Sequence, residues 1–202
     1  MIQAIRKIFS PSVMHSALDQ FGSVSAGDFI LFSLLGMMVV VLVVLLRKVL
    51  KKETHVSDIL TGLVLAVYVS IILQLTLICR ESGSRIGIDL DVFHGLRGAE
   101  NDYHWLMLAY VILNCMLFVP YGFVISLFSF VNERKIGIQF LLVLLLSFIA
   151  SMSIECIQLI TQRGYYETQD LLFNTLGGVI GWILFTIIYQ LGAILLRKKR
   201  EI

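Results

Sequence analysis

The feature that most constrains this chain is a series of long apolar runs, each of which can cross a membrane as a helix. About 20 helical residues span a hydrocarbon core of roughly 30 Å. Stretches of that length lie at 29–46, 59–79, 105–130, 136–160 and 171–196. The run VVVLVVLL at 39–46 lacks the alternation of a transmembrane β-strand. The sequence therefore predicts an all-α, polytopic membrane helix bundle with about five transmembrane helices.

Composition agrees with this fold class and excludes others. Hydrophobic residues make up 58% of the 202 residues, whereas charged residues make up only 15%. A formal net charge of +2 is too balanced for a nucleic-acid-binding protein, so no nucleic-acid partner is expected. Cys79, Cys115 and Cys156 lie in or beside apolar runs without paired spacing. They predict neither a disulfide framework nor a metal site, and no cofactor is expected.

The chain divides into three predicted parts. Residues 1–28 carry apolar residues at Ile2, Ile5, Ile8 and Phe9 and are expected to form an N-terminal helix in the membrane interface. Residues 29–104 hold two transmembrane helices and a long outer loop. Residues 105–202 hold a three-helix core and a basic tail.

Lysine and arginine residues distinguish the two membrane faces. Ten of the 16 lie at one set of span ends, in clusters at 47–52, 134–135 and 197–200, and six lie at the other. Cytoplasmic loops carry the excess of positive charge. The sequence thus predicts a multi-pass cell-membrane protein with an external N-terminus, a cytoplasmic C-terminus, and external connections at 80–104 and 161–170.

Polar side chains inside the apolar runs are the candidate functional residues. Glu155 in the fourth span shares a helical face with Ser151 and Gln158. An ionisable residue at membrane depth is costly and usually faces a bundle interior. In the last span, Asp170 and Asn174 also share one face, with Asp170 at the helix start.

Depth brings these residues toward one level of the membrane. At 1.5 Å per residue, Asn114, Glu155 and Asn174 all fall in the outer half of their spans. We expect them to meet in one pocket, with Arg163 or Arg85 as the cationic partner of the carboxylates. Small residues and a proline next to this pocket are expected to shape helix packing. These are Pro120, Gly122, Gly177, Gly178 and Gly181.

Three motifs in the second half of the chain resemble those of the VanZ-like family. They are NCMLFVPYG at 114–122, E-x-x-Q at Glu155 and Gln158, and DLLFNTLGGVIG at 170–181. The similarity covers roughly residues 85–182. Where the family usually has N-L-x-P-F, this chain has an aspartate at Asp89 and a valine at Val92. The resemblance implies a cell-envelope membrane protein linked to teicoplanin-type glycopeptide resistance, and implies no established reaction.

Three functions fit these residues. The first is binding of a membrane lipid, a lipid-linked wall precursor or a glycopeptide in an outer-leaflet polar pocket. The second is a membrane enzyme in which Glu155 acts as acid or base on a lipid headgroup. The third is a structural bundle in which the same side chains only form hydrogen bonds between helices. The predicted pocket residues are Asn114, Glu155, Gln158, Arg163, Asp170 and Asn174.

Histidines and aromatic residues near the outer connections have simpler interpretations. His94 and His104, with Asp89, Asp91, Glu100 and Asp102, fit no metal-ligand spacing and are interpreted as ordinary loop residues. The aromatic residues at span ends are Tyr103, Trp105, Tyr165 and Tyr166. For these we favour anchoring at the headgroup level over carbohydrate stacking.

Overall fold

The computed structural model describes residues 6–19, 25–83, 85–93, 97 and 102–200. Within these ranges the protein is an all-α membrane helix bundle with a small two-stranded sheet at one end. The helices long and apolar enough to cross a membrane are Ala26–Val49, Val56–Ile78, Tyr103–Ser126, Ile136–Thr161 and Thr168–Ala193. The predicted fold class is confirmed.

The helices and strands follow one another along the chain in this order. They are α1 (Pro11–Asp19), α2 (Ala26–Val49), α3 (Val56–Leu73) with a π-helical turn (Gln74–Ile78), β1 (Arg85–Asp89), α4 (Asp102–Ser126), α5 (Ser129–Asn132), α6 (Ile136–Thr161), β2 (Arg163–Glu167) and α7 (Thr168–Arg200).

The predicted third span, 105–130, is wrong at its end. Helix α4 ends at Ser126, and the separate turn α5 begins at Ser129. The cause is a contact from the start of α3: the Asp58 carboxylate accepts hydrogen bonds from the Ser129 backbone amide, at 2.8 Å, and from its hydroxyl. This carboxylate stabilises the free amide end of α5 and separates it from α4.

The two connections treated as loops in the sequence analysis each contain a strand. β1 and β2 pair in parallel, with Gly87 opposite Tyr165 and Asp89 opposite Glu167. Each strand has only five residues, and its partner is far away along the chain. No local pattern could therefore reveal the pair. The pairing shows that both connections lie at the same end of the bundle.

Helices α4 and α7 form the main interface of the bundle, and glycines allow their close approach. A Cβ added at Gly122 would overlap the Gly178 carbonyl, and one at Gly181 would overlap the Val119 carbonyl. Gly177 similarly meets the backbone of Cys115, while Gly178 faces the Ser147 side chain on α6. Pro120 lies inside α4, and its side chain is exposed. Backbone approach of this kind is what small residues permit in membranes.

The N-terminal segment contacts the bundle through α1. Ile8 and Ala17 pack with Trp105 and Ala109 near the start of α4. The Lys7 ammonium group lies 5.4 Å from the Trp105 ring centroid, within the range of a cation–π contact. Ile2 and Ile5, on which part of the predicted interfacial helix depended, lie outside the described residues. The segment is thus anchored at the end of the bundle that carries the sheet.

Candidate functional site

A polar cavity lies beside the sheet, where α3 ends and α4 and α7 begin. Its volume is about 310 Å³, and a second cavity of about 430 Å³ adjoins it under β1. The deeper cavity is lined by Arg80, which follows the π-helical turn, and from α4 by Tyr103, Leu106, Met107, Tyr110 and Asn114. From β2 and α7 it is lined by Tyr165, Glu167, Gln169 and Asp170. The two cavities share Tyr103, Met107, Tyr165, Glu167 and Gln169 and form one headgroup-sized site, which we call the strand-end cavity.

Asp170 and Asn114 form the innermost polar pair of this cavity. Asp170 lies in the first turn of α7, where a carboxylate is favoured by the free amides and by the helix dipole. The Asn114 side chain donates a hydrogen bond to the Asp170 carboxylate. This contact joins α4 to α7 at the bottom of the cavity. Both residues had been predicted as pocket residues.

Arg80 supplies the positive charge of the site. Its guanidinium group interacts electrostatically with the carboxylates of both Asp170 and Glu155. A Cβ on Gly164 would lie 2.9 Å from Arg80 Nη1, so the glycine leaves space for this side chain. Arg80 was not among the predicted pocket residues. Its only signal was its place as the first charged residue after the second apolar run.

Arg163, which we expected to pair with Glu155 or Asp170, has a different role. Its Nη1 donates to the backbone carbonyls of Leu77, at 3.0 Å, and Ile78, at 3.3 Å. These carbonyls lie at the end of the π-helical turn, and the Leu77 carbonyl also accepts a 3.4 Å hydrogen bond from the Arg80 backbone amide. The expected pairing of Arg163 with Glu155 or Asp170 is therefore wrong. The other proposed cation, Arg85, has a side chain outside the described ones.

Gln158 supports the same turn. Its Nε2 donates a 3.0 Å hydrogen bond to the Thr76 carbonyl inside the π-helical turn. Gln158 and Arg163 therefore bind three successive carbonyls at the end of α3, next to the point from which Arg80 extends. Their contacts hold the backbone that presents Arg80 to the cavity. Neither residue is among the described residues that line it.

Glu155 lies behind the cavity wall. Its side chain is 1% exposed, and its Oε2 accepts a 2.9 Å hydrogen bond from the backbone amide of Glu167. This bond connects α6 to the last residue of β2. The Glu155 carboxylate interacts electrostatically with Asp170 and Arg80. It does not line the cavity. The geometry gives it a positioning role.

Asn174 lies one turn deeper than Asp170 on α7. Its Nδ2 donates a 2.9 Å hydrogen bond to the Ser151 hydroxyl on α6, and both side chains are buried. Among the predicted pocket residues, Asn114 and Asp170 line the cavity. The other four do not line it and contact the elements around it; they are Glu155, Gln158, Arg163 and Asn174. The polar face of α6 thus supports the cavity without opening into it.

The three cysteines lie outside the lining of the strand-end cavity. None of the three cysteines forms a disulfide bond. Burial, and then the nearby Asp28 carboxylate, raise the pKa of the Cys79 thiol, which follows the last residue of its span. Among the described residues no group of three His, Cys, Asp or Glu side chains could hold a metal ion. His94 and Glu100 lie outside the described residues.

The comparisons with known proteins give one match. A family model described as VanZ/LLP1 matches residues 60–189 of the chain. The match runs from within α3 to within α7 and includes every residue that lines the strand-end cavity. No curated protein and no solved structure matches the chain.

Proposed function

This chain belongs to the VanZ/LLP1 family, and on that basis we propose that it binds the headgroup of an envelope lipid or a lipid-linked wall precursor in the strand-end cavity. The observation that carries the proposal is the cavity itself. Its polar pair, Asn114 and Asp170, lies beside the apolar side chains Leu106 and Met107. A lipid presents the same combination of a polar headgroup and an apolar chain.

The size and position of the cavity support this function. Ligand pockets in proteins usually measure about 300–1,000 Å³, and both cavities fall within this range. The site extends from the ends of the spanning helices, at Tyr103 and Asp170, down to Asn114 within α4. This position suits a lipid whose headgroup enters from the membrane surface. A purely structural bundle would fill such a space with side chains, because interior voids weaken packing.

We place this site at the outer face of the membrane. The support is the distribution of lysine and arginine, which favours a cytoplasmic location for the opposite ends of the helices. An outer headgroup site fits a contribution to teicoplanin-type resistance, which the family resemblance implies, because envelope lipids and wall precursors are exposed there.

The enzyme alternative, with Glu155 as acid or base, has less support. A general acid or base must come within hydrogen-bond reach of the reacting group. Glu155 is almost fully buried, uses Oε2 to bind the Glu167 amide, and does not line the cavity. The carboxylates that do line it are Asp89, Glu167 and Asp170. Binding is therefore the function that the geometry favours.

A pair of methionine substitutions on α4 tests the proposal. Met107 lines both cavities, whereas Met116, on the same helix, is 58% exposed toward the lipid side. We expect Met107→Trp to fill the cavity and to remove lipids that copurify with the wild-type protein, as seen by native mass spectrometry. Met116→Trp, the matched control, should retain them. Equal lipid retention by both variants would show that the cavity is not the binding site.

The same variants test the resistance role in cells. A strain that carries Met107→Trp should match a deletion strain in teicoplanin susceptibility, and one that carries Met116→Trp should match the wild type. Immunoblots of the membrane fraction must show equal amounts of both variants. If the deletion leaves susceptibility unchanged, the resistance role is wrong and the lipid-binding role is judged from the copurification result.

A further inference from the structure

Two tyrosine rings flank the opening of the strand-end cavity. Tyr103 at the start of α4 is 61% exposed, Tyr165 in β2 is 42% exposed, and both line the two cavities. The Tyr165 ring lies over Gly87, since a Cβ added at Gly87 would be 2.6 Å from two ring carbons. The glycine in β1 therefore leaves space for this ring. The strand pairing fixes it at the opening.

The charges around the two cavities are mixed. Asp89, Glu167 and Asp170 carry negative charge, and Arg80 carries positive charge. A phosphate in this site would meet three carboxylates, while the single guanidinium already interacts with Asp170 and Glu155. An ammonium group would be attracted by the three carboxylates, but in a phospholipid it accompanies a phosphate, which the same carboxylates repel. The lining thus disfavours a headgroup that carries a phosphate.

Four planar polar groups line the deeper cavity. The Asn114 and Gln169 amides, the Asp170 carboxylate and the Arg80 guanidinium each present paired donors or acceptors. Neighbouring hydroxyl groups on a sugar ring match such pairs. The aromatic ring of tyrosine offers an apolar face and a polar tip, and the C–H face of a sugar can pack against that face.

We infer that the strand-end cavity, between Tyr103 and Tyr165 and above Asn114 and Asp170, binds an uncharged glycosyl headgroup carried by a membrane lipid. This inference depends on the proposed lipid-binding function and names its ligand class. The sugar lies between the tyrosine rings with its hydroxyl groups toward the planar polar side chains. The acyl chains leave past Leu106 and Met107 into the bilayer.

A lipid competition in detergent tests the ligand class. Purified protein is mixed with equal amounts of monoglucosyl diacylglycerol, phosphatidylglycerol and phosphatidylethanolamine, and bound lipids are counted by native mass spectrometry. We expect the glycolipid to be retained preferentially, and Met107→Trp to abolish that preference. Retention of phosphatidylglycerol in a manner sensitive to Met107→Trp would overturn the glycosyl inference and leave lipid binding intact. If Met107→Trp changes the retention of none of the three lipids, the proposed function fails.

Variants of the tyrosine rings test the mode of binding. Tyr165→Ala should weaken glycolipid binding about tenfold, which corresponds to roughly 1.4 kcal/mol, whereas Tyr165→Phe should keep it. Tyr189→Ala is the matched control, because Tyr189 is an exposed tyrosine on α7 away from the cavity. If Tyr165→Ala does not fold, Tyr103→Ala replaces it. Glycolipid binding unchanged in the folded variant would overturn the inference.

A last comparison separates a lipid-borne sugar from a free one. Unlabelled glucose or methyl glucoside is added to the glycolipid complex. We expect neither to displace the glycolipid at concentrations comparable to it, because the acyl chains contribute to binding. Displacement by the free sugar at such concentrations would show that the ligand is a soluble sugar and would overturn the lipid part of the inference.

Discussion

The Glu155 carboxylate on α6 binds the backbone amide of Glu167 at the end of β2, at a distance of 2.9 Å. Through this bond a buried side chain in a membrane helix determines where the strand ends and α7 begins. The residue at which α7 begins in turn places Asp170 in the cavity. Glu155 thus acts on the site from outside it.

This relationship predicts different outcomes for two Glu155 variants. Glu155→Gln keeps an oxygen that accepts from the Glu167 amide, so the protein should fold and retain copurifying lipid. Glu155→Ala leaves that amide without its partner and should lower stability by about 1–3 kcal/mol. Thermal unfolding followed by fluorescence-detected size exclusion measures both. Loss of lipid in a stable Glu155→Gln variant would instead support the acid–base alternative.

Arg80 should stabilise the folded protein, because its guanidinium group interacts with the carboxylates of Glu155 and Asp170. Arg80→Met should lower stability by about 1–3 kcal/mol, less than for a fully buried ion pair because Arg80 is partly exposed. Adding Glu155→Gln removes one of the two carboxylates and should restore much of that loss. Arg97→Met is the control, since the Arg97 side chain is 69% exposed. A double variant no more stable than Arg80→Met would contradict the coupling.

The α4–α7 interface should tolerate no side chain at Gly181. Gly181→Ala places a Cβ against the Val119 carbonyl and the backbone amide of Phe123. We expect a cost of about 1–3 kcal/mol from overpacking. Gly192→Ala on the same helix meets nothing within 4 Å and should be neutral or stabilising by up to about 1 kcal/mol. Equal unfolding temperatures for the two variants would argue against the close approach.

The Cys79 thiol should react slowly near neutral pH. Burial, and then Asp28, raise its pKa, and the thiolate is the form that reacts with maleimides. In a variant whose only cysteine is Cys79, the labelling rate should rise as the pH increases past the ordinary thiol value. Asp28→Asn should lower the pKa and increase the rate near neutral pH. A rate that is insensitive to Asp28→Asn would show that this carboxylate does not act on the thiol.

The topology is tested by cysteine labelling in intact cells. With the native cysteines replaced, a membrane-impermeant maleimide should label Gly98→Cys and leave Glu201→Cys unlabelled until the cells are opened. This pattern follows from the ten-to-six distribution of lysine and arginine. Labelling in the reverse order would place the strand-end cavity at the cytoplasmic face.

The helices could be predicted because their determinant is local. An apolar run of sufficient length must form a helix in a bilayer, since every backbone polar group needs a partner there. Helical spacing also related Asp170 to Asn174 and Glu155 to Gln158. These relations placed Asn114, Asp170 and Glu155 in one region, although the sequence could not tell which of them faces the cavity.

The remaining features depend on contacts between distant parts of the chain. Arg80 reaches the cavity because Gln158 and Arg163 hold the carbonyls of the π-helical turn before it. The strands form because the two connections meet at one end of the bundle. Single-residue patterns carry no information on such pairings. The expected pairing of Arg163 with a carboxylate was wrong for that reason.

The adjacent tyrosines of β2, Tyr165 and Tyr166, point to opposite faces of the strand and have different surroundings. Tyr165 lies over Gly87 at the cavity, whereas the Tyr166 hydroxyl contacts the Met152 sulfur on α6. Because side chains on a strand alternate with a period of two, inserting one residue ahead of Tyr165 within the same pairing would turn each ring to the opposite face of the strand. The composition would hardly change, yet the position opposite Gly87 would lose its tyrosine. Residues 163–167 are thus restricted in length as well as in identity, a restriction that a comparison of residue types alone would not detect.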